Sequence, residues 1–184
     1  LMAAISVYCT AMIYASLKTI HQWANDWTIA GYLTMALASG AVLVAFVLAA
    51  TSVAGPGTLC FAVAALGLAW LIKNAYWRFI DTTKHAETAE TATGLKGGKV
   101  RLLEGPHTEE NYLLQEMGFR VGRKHAEKLR RIVRACGFGI PAMLMFVAMA
   151  GGGVALAATS AAVLAVTVGA LTERWLFFAE ARHV

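Results

Sequence analysis

Two long stretches without a formal charge decide what this chain can become. No Asp, Glu, Lys or Arg occurs from Trp27 to Ile72, and none from Ala135 to Thr172. Each stretch is about twice the ~20 residues that an apolar helix needs to cross a bilayer. Each is interrupted near its middle by turn formers, Ala54-Gly55-Pro56-Gly57 in the first and Gly151-Gly152-Gly153 in the second. The pattern predicts two transmembrane helical hairpins with uncharged tips. A soluble domain of 184 residues has no core large enough to hide both. Charged residues make up 15 % of the chain, well short of the quarter or so usual in soluble domains.

The expected fold is therefore an all-α integral membrane protein, a transmembrane helix bundle with four full spans plus one truncated N-terminal span. Those spans are 1–16, 27–51, 57–80, roughly 134–150 and 154–180. Helix is the open choice in lipid because each backbone group must be satisfied within its own segment. The chain opens at Leu1 inside an apolar run, without a basic leader segment, and reads as a fragment that starts partway along a helix. Three parts follow. Residues 1–80 hold the truncated helix and first hairpin, 81–133 a basic extramembrane loop and amphipathic helix, and 134–184 the second hairpin and a short tail.

Small residues mark expected close approaches: Ala36, Ser39 and Gly40 in the second span, Ala64 and Gly67 in the third, and Gly137 before Pro141 in the fourth. Pro141 is expected to kink or reset that helix. Trp23, Trp27, Tyr76, Trp77 and Trp175 read as interfacial aromatics. The first part of 81–133 is a loop by composition, and Thr108, followed by Glu109 and Glu110, reads as the capped start of an amphipathic helix that extends to Arg134 and can run on into the fourth span. That helix either rests on the membrane or receives a partner, with Arg120, Arg123, Lys124, Lys128, Arg130 and Arg131 as docking cations.

All 16 Lys and Arg fall on the face shared by the first loop, the segment 81–133 and the tail, or on helix ends pointing to it. The net charge of +5 is thus accounted for by cations flanking spans, and no nucleic-acid partner is expected. By the positive-inside tendency that face is cytoplasmic. Cys9, Cys60 and Cys136 have no metal-ligand spacing and read as small buried hydrophobes; no metal site is expected. None of the five histidines sits deep in a span, which argues against a haem held by two of them.

Ionisable residues near or within the spans are the functional candidates, because they are costly there. Lys73 is expected to snorkel toward the headgroups. Glu173 and Glu180 are seven apart, on one helix face with Phe177 between them, and Arg174 lies beside them, available to an acid on a neighbouring helix. This cluster reads either as a structural ion pair or as a polar site in which the acids take protons while Trp175, Phe177 and Phe178 flank a flat ring. Tyr14, Lys18, His21 and Trp23 form a second group at the end of the first helix. A His beside a Lys among aromatic rings can hydrogen-bond a quinone carbonyl and exchange protons near neutral pH.

The run Val7-Tyr8-Cys9-Thr10-Ala11-Met12-Ile13-Tyr14-Ala15-Ser16-Leu17-Lys18-Thr19-Ile20-His21-Gln22-Trp23, with Leu37-Ala38-Ser39-Gly40-Ala41-Val42-Leu43, resembles the membrane-anchor (C) subunit of anaerobic dimethyl sulfoxide reductases. So do His107 to Arg131 and the closing Glu173-Arg174-Trp175-Leu176-Phe177-Phe178-Ala179-Glu180-Ala181-Arg182-His183-Val184. The resemblance implies the latter part of an eight-helix, haem-free subunit in a bacterial inner membrane. Its partners would be an iron–sulfur subunit and a molybdopterin catalytic subunit. Such an anchor oxidises menaquinol and passes electrons to the nearest iron–sulfur cluster. The family topology places these loops outside the cytoplasm, opposite to the charge count. Two rival readings are half of a secondary transporter and a purely structural anchor without a quinol site. The apolar middles of the helices count against the transporter.

Overall fold

The structure, a computed structural model, describes residues 2–83 and 117–181. The expected helix start at Thr108, most of the Thr- and Gly-rich loop, and the last residues of the tail lie outside the described residues. Six helices account for nearly all the rest, and there is no strand among the described residues: α1 Met2–Ala15, α2 Asp26–Ala50, α3 Pro56–Thr82, α4 Met117–Lys124, α5 Ala126–Ala148 and α6 Gly152–Ala179. Four of them, α2, α3, α5 and α6, are long and apolar enough to cross a membrane.

Local chemistry sets each boundary. The Asn25 side chain accepts from the Thr28 amide at 3.1 Å and caps α2, with Asp26 in the first turn where the helix dipole favours an acid. At the far end Ser52 takes the left-handed conformation (φ 58°), so that the Val53 and Ala54 amides both reach the Leu48 carbonyl. Pro56 then opens α3 at a position where its missing N–H costs nothing. The second tip turns through Gly151 (φ 77°) and Gly152 (φ 59°), where a side chain would be strained. Both tips are bare of charge, as the sequence predicts.

The four spanning helices form a ring. Helix α2 packs on α3, α3 on α5, α5 on α6, and α6 returns to α2, while α1 lies outside against α2. The buried faces of α2 and α3 are rich in alanine, with Ala38, Ala41, Ala45 and Ala49 on one and Ala62, Ala65 and Ala69 on the other, beside Val42, Leu59 and Leu66. Within lipid, close van der Waals packing of small side chains replaces the hydrophobic driving force. The expected seam residues Ala36, Gly40, Ala64 and Gly67 are instead off the true contact, about one helical step away. Tyr76 and Trp77 are buried at 2 % exposure rather than interfacial, and Cys9 and Cys60 face outward rather than into the core.

The fourth span continues from the amphipathic segment before it. It begins at Ala126, about two turns earlier than the charge-free run, and draws Arg130, Arg131 and Arg134 into the helix. Helix α4 joins it through a bend at His125 and lies against Trp175 and Ala179. From Val133 to Gly139 the helix widens to a π turn, with the Ile140 amide bonded to the Ala135 carbonyl five residues back. Pro141 supplies the reason. It has no N–H, and in a regular helix its ring would press on the Gly137 carbonyl, so the preceding turn opens.

That wide turn brings Gly137 against Gly169, where α5 and α6 meet backbone to backbone; a β-carbon on Gly169 would overlap the Gly137 backbone. Gly169→Leu is therefore expected to force α6 off α5 and to cost about 1–3 kcal/mol or more, as overpacking against backbone does. Unfolding of the detergent-solubilised protein measures this. An unchanged transition would mean that the two helices do not meet at these glycines.

Candidate functional site

At the charged end of the bundle the loop before α2 meets the ends of α3, α5 and α6, and two polar constellations lie there side by side. The inner one is centred on Glu173, about 9 Å inside the end of α6 at 1.5 Å per residue. Glu173 is 1 % exposed and pairs across the diagonal of the ring with Lys73 of α3, itself 4 % exposed. Lys73 does not snorkel; its ammonium turns inward and sits 4.1 Å from the centre of the Tyr76 ring. Arg174 holds Glu173 with two nitrogens, the Nη2–Oε1 distance being 2.7 Å. The acid it pairs with is thus its own neighbour, not one on another helix. Two cations share one carboxylate, so the triad carries one excess positive charge inside the bundle.

Aromatic rings wall this triad. Tyr14 is in ring contact with Trp23, Tyr32, Phe177 and Phe178, at 5.2 to 5.8 Å between centroids. The Trp23 indole donates to the Phe177 carbonyl at 3.1 Å, which ties the first loop to α6. The Arg174 guanidinium lies 4.2 Å from the centre of the Tyr32 ring. Beside it, a groove of about 360 Å³ runs between α1, α2 and α6, floored by Val7, Met35 and Ala36, with Tyr32, Glu173 and Arg174 at its polar end. The Arg174 Nη1 is buried and has no hydrogen-bond partner among the described residues.

The outer constellation is organised by Arg130. Its guanidinium takes Asp81 of α3 in a two-pronged pair (2.6 and 2.9 Å) and Glu180, just past α6, at 2.6 Å, with Glu127 at 3.4 Å. Arg123 donates to the carbonyls of Ala179 and Ala181 at 2.7 and 3.1 Å, satisfying the open end of α6. A cleft of about 390 Å³ lined by Asp81, Glu127 and Glu180 opens there.

Burial pushes the Glu180 carboxyl above the ordinary carboxylate range, and the nearby Arg130 only partly reverses it. The folded chain therefore keeps a proton at pH values where the unfolded chain has lost it. Stability falls as pH rises from the ordinary glutamate range through the raised one. Glu180→Gln is expected to flatten that decline, which a series of melting curves across this window measures; an unchanged slope would exclude Glu180 as its source.

The sequence candidates thus divide. Tyr14, Trp23, Glu173 and Arg174 come together around the inner triad, whereas Glu180 belongs to the outer network despite sharing a face of α6. Lys18 is exposed, and His21 stacks on Phe79 at 5.2 Å, away from the groove. Arg130 is buried in ion pairs and Arg123 is committed to the end of α6; Arg120, Lys124, Lys128 and Arg131 are exposed on the same face. Tyr32 and Asp81 are absent from the residues that the sequence singles out. A phenol within a charge-free span was one available signal. An acid in the last turn of α3, where the dipole disfavours it, was the other.

Residues 1–179 match the family described as DMSO reductase anchor subunit (DmsC). A curated relative, the C subunit of the sulfite dehydrogenase of Allochromatium vinosum, is 30 % identical over 181 residues, covering 95 % of this chain and 54 % of its own length. The chain spans about half the length of that relative. No solved structure matches.

Proposed function

The chain belongs to the DMSO reductase anchor subunit family, and from that premise we propose that it oxidises menaquinol at the inner triad and passes the electrons to an iron–sulfur subunit docked on the charged face. A molybdopterin subunit would complete the complex, in a bacterial inner membrane, with exposed Arg120, Lys124 and Lys128 as docking cations. The observation that carries the quinol reading is the unpartnered Arg174 nitrogen at the polar end of a groove between membrane-spanning helices.

A quinol needs a flat slot, a donor or acceptor for its ring oxygens, and an apolar path for its tail. Arg174 supplies the donor, Tyr32, on whose ring the guanidinium lies, an aromatic wall, and Val7, Met35 and Ala36, between Ser6, Thr10 and Ser39, the largely apolar path. Glu173 holds Arg174 rather than acting as the base, because protonating it would leave Lys73 buried without a counter-charge and Arg174 unpaired. The two electrons leave to the partner, and the two protons must leave separately toward the water-exposed face.

A second reading reverses the flow. The A. vinosum relative is named as part of a dehydrogenase, and the same groove would serve a quinone that accepts electrons. The discriminating experiment purifies the native complex and compares electron transfer with a menaquinol analogue, with a quinone acceptor, and with a soluble dye. Quinol-driven turnover blocked by a competing quinone analogue supports the leading reading, and quinone reduction alone supports the second. Dye activity without either would reduce the chain to a structural anchor.

A further inference from the structure

Outside the ring, on the seam between α3 and α5, a third groove of about 230 Å³ opens away from both polar constellations. Its walls are apolar, with Val63, Gly67 and Trp70 on α3 and Phe138, Gly139 and Ala142 on α5, and Arg134 stands at its polar end. A β-carbon would meet nothing within 4 Å at Gly67, and at Gly139 only the Arg134 carbonyl at 3.5 Å. The groove is therefore open space along two membrane-spanning helices, not a packed contact. From Arg134 to Ala142 it follows α5 for roughly 12 Å at 1.5 Å per residue.

Arg134 is set up differently from the other inward cations. Its Nε donates to the Asn74 side chain at 3.2 Å and its guanidinium rests 5.1 Å from the centre of the Trp77 ring. No carboxylate pairs with it among the described residues, whereas Arg130, one turn away, takes Asp81, Glu127 and Glu180. Arg131, three residues before Arg134, and Arg78, four after Asn74, are both exposed. On each helix, then, the turn above the Arg134–Asn74 contact carries a cation. Arg134 at the mouth of an apolar groove between membrane helices, with an exposed cation one turn beyond it on each helix, matches an anionic headgroup with an acyl chain below it.

We propose that this groove is a binding site for an acidic phospholipid, its phosphate on Arg134 and one acyl chain along Gly67 and Gly139. Anionic headgroups are favoured over zwitterionic ones because a zwitterionic headgroup brings a further cation against Arg78 and Arg131. The site is independent of the quinol groove, which lies on the α1–α2–α6 side.

The test uses the purified native complex, delipidated and then titrated with phosphatidylglycerol or phosphatidylcholine, with bound lipid counted by native mass spectrometry. Wild type is expected to hold one phosphatidylglycerol in preference to phosphatidylcholine. Arg134→Gln should weaken that binding about fivefold or more, the effect of one cation near an anionic headgroup. Gly139→Leu fills the groove without touching a cation, faces open space, and should weaken it as well. Equal retention of the two lipids, or wild-type binding in Gly139→Leu, would overturn the site, as would a quinone in place of the lipid. Loss in both variants with an unchanged unfolding transition would establish it.

Discussion

Glu173→Gln is expected to be the most destabilising single substitution in the bundle, at about 3–5 kcal/mol, the usual cost of leaving a buried charge unpaired. The reason is the stoichiometry of the triad. Lys73 and Arg174 both rely on Glu173, so removing the one carboxylate strands two cations, one of them fully inside the ring. Lys73→Met should cost less, because Glu173 keeps Arg174 as its partner. Combining the two substitutions should recover part of the loss, since the double variant strands only Arg174. Unfolding of the four proteins in detergent, arranged as a double-mutant cycle, measures the coupling directly. If Lys73→Met were the more damaging change, Glu173 would not be the shared partner.

The same triad shows how far the sequence can be read and where it stops. Charge-free runs, turn formers and the bilayer thickness leave few options for the helices, so the hairpins and their bare tips follow from composition alone. Which face of each helix points inward does not follow, because lipid and core are equally apolar. Ala36 and Ala38 are indistinguishable in the sequence, yet only Ala38 is buried. Charge placement suffers in the same way. Lys73 near a helix end has a ready alternative in snorkelling, and only its diagonal partner on α6, a hundred residues later, turns it inward. Glu173 and Glu180 share a helical face, but α3 offers a lysine to one and α5 an arginine to the other. The late start that the sequence suggests for the fourth span has a related cause. Arg130 reads as a docking cation and Arg134 as the end of the amphipathic helix until Asp81, Glu180, Asn74 and Trp77 are seen to receive them.

Arg174→Gln tests the chemistry rather than the architecture. Glu173 retains Lys73 in that variant, so the fold keeps its buried neutral pair. What is lost is the charged donor at the polar end of the groove. A hydrogen bond from a charged group contributes about 1.5–3 kcal/mol, and at about 1.4 kcal/mol per factor of ten this predicts roughly a tenfold to hundredfold fall in kcat/KM for quinol. Turnover with a soluble dye, which bypasses the groove, should stay at the wild-type level. Arg174→Lys should fall between the two, since an ammonium keeps the charge but loses the planar fork that spans Glu173 and a ligand oxygen at once. Tyr32→Leu changes no formal charge but removes the ring on which the Arg174 guanidinium lies, and should raise KM more than it lowers kcat. Equal loss of quinol and dye activity in Arg174→Gln would point to damage at the partner interface instead. Full quinol activity in both Arg174→Gln and Tyr32→Leu would move the quinol site elsewhere and leave the triad as a structural clamp between α3 and α6.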